Sequence, residues 1–357
     1  MTDRSPLPDD TAEGIASRDR LLALVEGMAG QPVVMLADLV ADRFIEGAPK
    51  RISREAPVLI LRYEGEHVTP GGGANAVANV AALGGRPLPL GVVGDDASGR
   101  AIVEALSGMG VDTAGICTRP GYSTPTKVRV LAGGRHSIKQ QVVRFDIEDE
   151  LDLGLEGERH FARQLGAWNS SARVAVLSDY GYGTVRPGLV AALREALVEG
   201  GAILGDSRHR LDAFDGLDGA TPNEEEAESL IGSRLDGGFR DMAAAVESLR
   251  RRLGLRFLVV TRGRHGMVLA TEEGAASIPV HGTDQVADVT GAGDTVIGTF
   301  ALALAAGATP LEAALLADYA GGVVVMKMGT ATLSADELRQ AVAGDPAPIE
   351  GLQWAAW

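Results

Sequence analysis

The 357-residue sequence contains little cysteine, few aromatic residues and no long apolar run. Its single cysteine, Cys117, excludes a disulfide within the chain. The first residues lack the basic start and apolar core of a secretory signal. The longest apolar stretches, 299–306 and 320–326, are shorter than the roughly 20 residues with which a helix spans a bilayer. We therefore expect a cytoplasmic protein with no membrane partner.

Positive charge is also scarce. The chain has 48 acidic residues against 33 basic ones, only four of which are lysines, and its net charge is −15. An acidic protein repels polyphosphate backbones, so we expect no nucleic acid partner. A small anion is still allowed as a ligand, because a local cluster of cations decides whether it binds.

Short apolar runs alternate with helical patterns along most of the chain. The runs have strand length and are almost continuously apolar, which is typical of strands buried on both faces of a sheet: 33–36, 88–93, 174–177, 202–204 and 257–260. Helical patterns follow these runs at 76–83, 100–109, 187–199, 224–231 and 241–253. The alternation predicts an α/β fold with a doubly wound, mostly parallel sheet.

Two stretches interrupt this alternation, at about 42–69 and 118–148. The second contains "TKVRVLA" and "IKQQVVRF", in which apolar and polar residues alternate. Such a pattern predicts strands with one exposed face, and we interpret the two stretches together as a small antiparallel β lid. The predicted boundaries are 1–32 for an N-terminal extension with residues 1–16 disordered and a helix at 18–28, 33–343 for the main domain, and 344–357 for a loosely attached tail.

The segment "DVTGAGDTVIG" (288–298) predicts an anion site at the start of a helix. Gly291 and Gly293 permit unusual backbone angles, and a helix from about Asp294 leaves the N–H groups of residues 291–294 unpaired. We call these four groups the anion cradle. The helix dipole favours a phosphoryl group there, and Asp294 could accept a proton from an attacking hydroxyl. Alternatively, Asp294 is an ordinary helix cap after a glycine turn.

Polar residues are also placed for ligand binding elsewhere. "PGGGANAVANVAALGG" (70–85) brings bare backbone and Asn75 to a helix start, where an amide can bind sugar hydroxyls; a close helix-to-strand crossing is the alternative. Three predicted strands end in an acid, at Asp38, Asp179 and Asp206. Ligands bind beyond the carboxyl ends of parallel strands, so these acids indicate a polar cleft suited to a metal, unless they only cap the following elements.

The order of "PGGGAN", "TPNEEE" and "DVTGAGDT" resembles the ribokinase-like family of sugar kinases over about 33–341. Neither a G-x-x-x-x-G-K-[ST] phosphate loop nor a G-x-G-x-x-G after the first strand is present. Further segments, among them "RISREAPV", "VRFDIED" and "LSDYGYG", resemble the heptose-7-phosphate kinases. The resemblance implies ATP-dependent phosphorylation of the anomeric hydroxyl of a seven-carbon sugar phosphate.

The resemblance also implies roles for individual positions. Asp294 matches the catalytic base, with Gly291, Ala292 and Gly293 providing the amides that hold the phosphoryl group. Asp42, Gly72 and Asn75 match positions that hold sugar hydroxyls. The nucleotide and metal positions are Asn223 and Glu226 for Mg²⁺ and its waters, Thr261, Gly263 and Gly266 for the nucleotide, and Asp288 and Thr290 for a monovalent cation such as K⁺. Without the family context, "TPNEEEAESL" predicts only a well-capped helix start.

Four cations fall in the two lid segments: Arg43, Lys127, Arg129 and Arg144. Lys127 and Arg129 share one face, because side chains alternate along a strand. Cations beside the sugar cleft favour a phosphorylated sugar, and an arginine can grip a phosphate with two parallel bonds. The alternative is that these residues only pair with neighbouring acids such as Asp146, Glu148 and Asp149.

Two segments depart from the resembled enzymes. Those enzymes often carry a lysine where this chain has "SDYGYG", and Asp-Pro-Lys-Gly where it has "DSRH" (206–209), in which Arg208 is the only comparable cation. The resemblance nevertheless implies a kinase that converts heptose 7-phosphate into the 1,7-bisphosphate with ATP and Mg²⁺ and acts as a homodimer paired through the lid. The alternatives are a kinase for another sugar or sugar acid of this fold, and a non-catalytic sugar or nucleotide sensor.

Overall fold

A computed structural model describes residues 16–134, 139–168, 171–282 and 287–357. Most of the disorder predicted for residues 1–16 therefore falls outside the described residues. The helix expected at 18–28 is confirmed as α1, Arg18–Gly27. It begins at Ser17, whose side chain accepts a hydrogen bond from the Arg20 N–H, and it buries Leu21 and Leu24.

The core of the molecule is a ten-stranded sheet in the order β14-β13-β12-β11-β10-β9-β8-β1-β4-β5. Pairing is parallel from β5 to β11 and antiparallel from β11 to β14, which confirms the mostly parallel sheet. Its strands are β1 Pro32–Ala37, β4 Arg86–Gly94, β5 Ile116–Arg119, β8 Val174–Asp179, β9 Ala202–Ser207, β10 Gly219–Ala220, β11 Phe257–Thr261, β12 Met267–Ala270, β13 Gly274–Ile278 and β14 Gln353–Ala356.

Helices cover both faces of this sheet because the strands are apolar on both sides. Along β1, Val33 and Met35 pack into one buried cluster while Val34 and Leu36 pack into the other, as the two-residue period of a strand requires. The remaining helices are α2 Gly73–Ala82, α3 Ala97–Gly108, α4 Gly154–Trp168, α5 Val190–Ala196, α6 Glu224–Ile231, α7 Phe239–Arg252, α8 Ala292–Ala305, α9 Pro310–Val324, α10 Ala335–Gly344 and α11 Ala347–Glu350.

A second, four-stranded sheet lies beside the first in the order β3-β2-β6-β7. Its strands are β2 Leu39–Ile52, β3 Leu59–Gly72, β6 Thr126–Ala132 and β7 Gln140–Ile147. It consists of two antiparallel pairs, β2 with β3 and β6 with β7, as expected for the lid. The inner strands β2 and β6 pair in parallel, so the sheet as a whole is mixed.

The C-terminal residues are not loosely attached, and that prediction is wrong. After α11, β14 adds an antiparallel strand to β13, with Trp354 opposite Ala276. Leu352 is buried and Trp354 packs against the main core. The Trp357 indole also donates a hydrogen bond to the Thr271 carbonyl at 2.9 Å. These contacts attach the segment to the sheet, in which β14 is the edge strand.

In the described part of the chain, no helix is long and apolar enough to span a bilayer.

Candidate active site

A cleft of about 730 Å³ opens at the carboxyl ends of the parallel strands and faces the small sheet. Asp179 of β8, Asp206 of β9 and Thr261 of β11 contribute to its walls. Asp42 and Lys127 of the small sheet line the opposite side. The cleft thus occupies the position at which open α/β sheets bind ligands.

Asp294 lies in the first turn of α8 and lines this cleft, with only 3% of its surface exposed. Its Oδ1 accepts a hydrogen bond from the Tyr180 hydroxyl at 2.5 Å, and its Oδ2 accepts one from Asn75 Nδ2 at 3.1 Å. Gly291 is the N-cap residue, and no side chain caps the helix. The interpretation of Asp294 as an ordinary helix cap is therefore wrong.

Burial raises the pKa of Asp294 to about 6. The hydrogen bonds from Tyr180 and Asn75 and the charge of Lys127 act in the opposite direction, and Asp42 raises the pKa further. A carboxylate with a pKa near neutrality is ionised at physiological pH and still has appreciable proton affinity. These are the properties of an efficient general base.

Three of the four N–H groups of the anion cradle are available to a ligand. Those of Gly291, Gly293 and Asp294 donate to no acceptor in the described residues, but the Ala292 N–H donates to the Val289 carbonyl at 3.2 Å. Ala292 therefore differs from the expectation: it closes a turn and lines a neighbouring pocket instead of the main cleft. Free N–H groups at a helix N-terminus favour a bound anion.

Glycine is required at two positions around the carboxylate. Gly291 has a φ of 78°, and a Cβ there would lie 2.5 Å from Asn75 Nδ2. Gly72 lines the cleft with a φ of 50°, and a Cβ there would lie 2.8 Å from Val40 Cγ2 and 3.2 Å from Tyr180 Cε2. The two glycines therefore allow Asn75 and Tyr180 to approach Asp294.

The cleft face of the small sheet carries alternate charged residues. Lys127, Arg129 and Arg144 all line the cleft, which confirms that Lys127 and Arg129 share a face. Arg129 binds the buried Asp42 at 3.0 Å, and Arg144 pairs with Asp146 at 2.6 Å. Burial lowers the pKa of Lys127, with Arg208 acting in the same direction and Asp42 opposing it. Arg144 thus pairs with a neighbouring acid as the alternative expected, whereas Arg129 pairs with Asp42 inside the cleft, and both arginines line the cleft.

Two predicted sugar-binding residues are placed differently. Arg43 lies on the opposite face of β2 from Asp42, does not line the cleft and forms a two-bond ion pair with Glu66. Asn75 lies behind the cleft wall, where Nδ2 also donates to the Gly291 carbonyl at 3.3 Å. The structure therefore places Asn75 as a support for Asp294 and does not bring Arg43 to the site.

The three acids at strand ends have different environments. Asp38 is a structural residue, because its carboxylate accepts hydrogen bonds from the N–H groups of Tyr180, Tyr182 and Thr184 at 2.9 to 3.0 Å. Asp179 accepts hydrogen bonds from Ser207 and Arg210. Among the residues the structure describes, no three His, Cys, Asp or Glu side chains are grouped so that they could hold a metal ion.

The segment "TPNEEE" forms a capping box and also lines the cleft. The Glu226 N–H donates to Asn223 Oδ1 at 3.0 Å, and the Asn223 N–H donates to Glu226 Oε2 at 2.9 Å. Burial raises the pKa of Glu226 and of Asp206, and Arg208 only partly offsets this. The carboxyl groups of Glu226 and Asp206 thus lie close together with little positive charge to balance them. Oxygen ligands in such surroundings fit a hard divalent cation that is held through water.

A second pocket of about 380 Å³ adjoins the main cleft and is mostly apolar. Thr261, Gly263 and Gly266 line it, and Thr261 borders both cavities. Thr290 lines the main cleft, while the Asp288 carboxylate accepts hydrogen bonds from the Thr290 and Gly329 N–H groups. Burial would raise the pKa of Asp288, but these bonds lower it below its usual value, so the residue keeps its charge.

Sequence reasoning missed Tyr180, which contacts the base directly. Its signal was present in "LSDYGYG", because a residue that directly follows the carboxyl end of a parallel strand lies at the ligand-binding edge. Arg208 also lines the cleft, with its guanidinium 5.0 Å from the Tyr180 ring centroid.

Comparisons with known proteins identify the family of this chain. The family model for pfkB family carbohydrate kinases matches residues 35–337. "Bifunctional protein HldE" of Mesorhizobium japonicum is 38% identical over 328 residues, which are 91% of this chain and 65% of that protein. The protein of the same name from Halorhodospira halophila is 41% identical over 324 residues, or 89% and 65% of the two chains. The chain thus spans less than two thirds of the length of these curated relatives.

Solved structures share the fold at low sequence identity. Phosphofructokinase-2 from Escherichia coli in complex with substrates and products superposes with a TM-score of 0.70 at 20% identity, over 88% of this chain and 98% of that one. Ribokinase from Arabidopsis thaliana complexed with ribose and ATP gives 0.65 at 22% identity, over 88% and 100%. The ribokinase-like fold is confirmed. The chain therefore belongs to the pfkB family of carbohydrate kinases and is an enzyme that phosphorylates a sugar.

Proposed function

We propose that this kinase transfers the γ-phosphoryl group of ATP to the anomeric hydroxyl of heptose 7-phosphate and forms the 1,7-bisphosphate. One observation carries the proposal: the buried Asp294 carboxylate stands beside three N–H groups that have no acceptor among the described residues, in a cleft whose opposite wall carries Lys127, Arg129 and Arg144. A base, an anion cradle and a cationic wall together suit the transfer of a phosphoryl group to a phosphorylated sugar. ATP and sugar phosphates are cytoplasmic metabolites, so we expect the enzyme to act there.

Each group of residues in the cleft has its own role in the phosphoryl transfer. Asp294 removes the proton from the attacking hydroxyl, and the oxygen attacks the γ-phosphorus in line as the bond to ADP breaks. The N–H groups of Gly291, Gly293 and Asp294 donate to the oxygens of the transferring group, where negative charge develops. Asp42 and the backbone at Gly72 face the sugar. Closure of the small sheet over the cleft excludes water that would otherwise hydrolyse ATP.

We assign the nucleotide to the second pocket and the adjoining strip of the main cleft. Thr261, Gly263 and Gly266 border the base and ribose, and Asn223 lies on the phosphate side. Asn223 and Glu226 would hold Mg²⁺ mainly through water. When bound, Mg²⁺ neutralises charge on the phosphate oxygens. Asp288 and Thr290 are our candidates for a K⁺ site, since Asp288 stays ionised beside the α8 N-terminus.

A substrate panel tests the function. The protein is incubated with ATP, Mg²⁺ and heptose 7-phosphate, other sugar phosphates, free sugars or sugar acids, and ADP release is measured with and without KCl. We expect heptose 7-phosphate to give the highest kcat/KM. A higher value for another acceptor would assign a different sugar, and nucleotide binding without turnover on any acceptor would favour a sensor.

Arg144→Ala should raise the KM for the sugar phosphate by about tenfold or more while kcat changes little. A charge-assisted bond to a phosphate that is the same in ground and transition states contributes to binding alone. Arg43→Ala is the matched control, because it removes an arginine from the opposite face of the same sheet. Steady-state kinetics at saturating ATP measure both variants. An equal rise in KM for both would contradict a phosphate site at Arg144.

We propose that two copies pair through the small sheet. The edge strand β7 is exposed throughout, and Val143, Phe145 and Ile147 present an apolar row on the side away from Arg144. Exposed apolar rows on an edge strand indicate an association surface.

Phe145→Glu should convert a dimer of twice 37.0 kDa into a monomer, because it would bury a charge in that interface. Light scattering after size exclusion measures the mass. Leu155→Glu changes an apolar residue on α4 that is even more exposed, at 70% against 50% for Phe145, and it should leave the mass unaltered. A wild-type mass of 37.0 kDa at micromolar concentration would reject this dimer.

A further inference from the structure

We propose that Tyr180 is a positioning residue that fixes the orientation of the Asp294 carboxylate and sets its proton affinity through the hydroxyl hydrogen bond. The proposal rests on the function of Asp294 as the base. It adds a residue to which the sequence analysis assigned no role, and it explains why a partly buried aromatic ring stands among the charged groups of the cleft.

One buried acid, Asp38, fixes the backbone of the loop that contains Tyr180. Asp38, at the end of β1, accepts hydrogen bonds from the N–H groups of Tyr180 at 2.9 Å, Tyr182 at 3.0 Å and Thr184 at 3.0 Å. Three bonds to a single carboxylate fix the loop that follows β8. The Tyr180 side chain therefore leaves the loop from a defined position.

The ring is held from the side by a glycine and by cations. A Cβ on Gly72 would approach Tyr180 Cε2 to 3.2 Å, so only glycine leaves normal contact distances there. Lys127 Nζ lies 5.1 Å and the Arg208 guanidinium 5.0 Å from the ring centroid, both within cation–π range. These contacts leave the ring little freedom to turn its hydroxyl away from the carboxylate.

The hydroxyl donates to Asp294 Oδ1 at 2.5 Å, while Asn75 donates to Oδ2 at 3.1 Å. A donor on each oxygen prevents rotation of the carboxylate and still leaves lone pairs for the sugar proton. Burial raises the pKa of Tyr180, so the phenol stays protonated and donates; it does not compete as a base. A donor to the ionised form of an acid lowers the pKa of that acid.

Other charged groups also act on Asp294. Lys127 and Asp42 face it from the small sheet, and Asp206 and Arg208 lie at the end of β9. Their charges remain when only the Tyr180 hydroxyl is removed. Loss of this one bond should therefore let burial dominate and raise the pKa of Asp294 above about 6.

The experiment compares the acid limb of the kcat/KM profile in two variants. Tyr180→Phe should shift that limb upward by about one pH unit and lower kcat/KM near pH 6 by up to about tenfold. At higher pH, kcat/KM of the variant should return to the wild-type value. Tyr182→Phe is the matched control. It lies in the same loop, its hydroxyl donates to Glu148 at 3.0 Å, and its removal should leave the limb in place.

Two further measurements separate the outcomes. A purely structural role would lower activity equally at all pH values, and an unmoved acid limb in a folded Tyr180→Phe enzyme would overturn the proposal. Incorporation of 3-fluorotyrosine, whose phenol is the more acidic donor, should move the wild-type limb downward and leave that of Tyr180→Phe unchanged. No turnover by the wild type on any acceptor would instead refute the proposed kinase function, which makes the two failures distinguishable.

Discussion

Asp294→Asn lowers kcat by about 10² to 10⁴-fold, the usual contribution of general base catalysis. The amide has nearly the same shape as the carboxylate but cannot accept the proton of the sugar hydroxyl. Nucleotide affinity should change little, because Thr261, Gly263 and Gly266 border the adjoining pocket, which Asp294 does not line. Kinetics of ADP release measure kcat, and calorimetric titration measures nucleotide binding.

The pH dependence gives this variant a second signature. The pKa of Asp294 is raised to about 6, so in the wild type the carboxylate gains a proton and activity falls as the pH drops through that value. The residual activity of Asp294→Asn should lack this acid limb. Asp241→Asn makes the same change in the first turn of α7, at an exposed position, and should keep wild-type kinetics. Near-normal turnover of Asp294→Asn would remove the residue from the role of base.

The fold was largely predictable from sequence because its strands are apolar on both faces. Runs such as 33–36 and 174–177 can be satisfied only inside a sheet covered by helices on both sides, and the structure contains them as β1 and β8. The C-terminal strand β14 was missed. Four residues of mixed polarity carry no periodic signal, and only pairing with the distant β13 makes them a strand.

The site was predictable where one short segment contains both the chemical group and the backbone that presents it. Asp294 is such a case, since the glycines that form the helix start are its immediate neighbours. Tyr180 is not, because it meets Asp294 only across a separation of 114 residues. Arg43 shows a different error. Neighbours on a strand point to opposite faces, so Asp42 and Arg43 could not both face the cleft.

Gly291→Ala should lower kcat/KM by about 10² to 10³-fold, as the loss of a preorganised donor to the reacting group does. The φ of 78° disfavours any side chain, and the new Cβ would stand 2.5 Å from Asn75 Nδ2. Asn75 must then move, which breaks its bonds to Asp294 Oδ2 and to the Gly291 carbonyl. The carboxylate and the adjoining N–H groups lose their alignment together, so one methyl group disturbs both halves of the catalytic arrangement.

Gly307→Ala separates this effect from the cost of the backbone conformation. Gly307 follows the other end of α8 with a φ of 90°, and a Cβ there meets no atom within 4 Å. Both alanines adopt the left-handed conformation, at about 1 to 2 kcal/mol each, so thermal denaturation should show a loss of stability in both variants, and a larger one in Gly291→Ala, which also displaces Asn75. Only Gly291→Ala should lose activity, because only its Cβ collides with the group that holds the base. Equal loss of activity in both variants would attribute the effect to the helix as a whole and would contradict a specific role for the contact between Gly291 and Asn75.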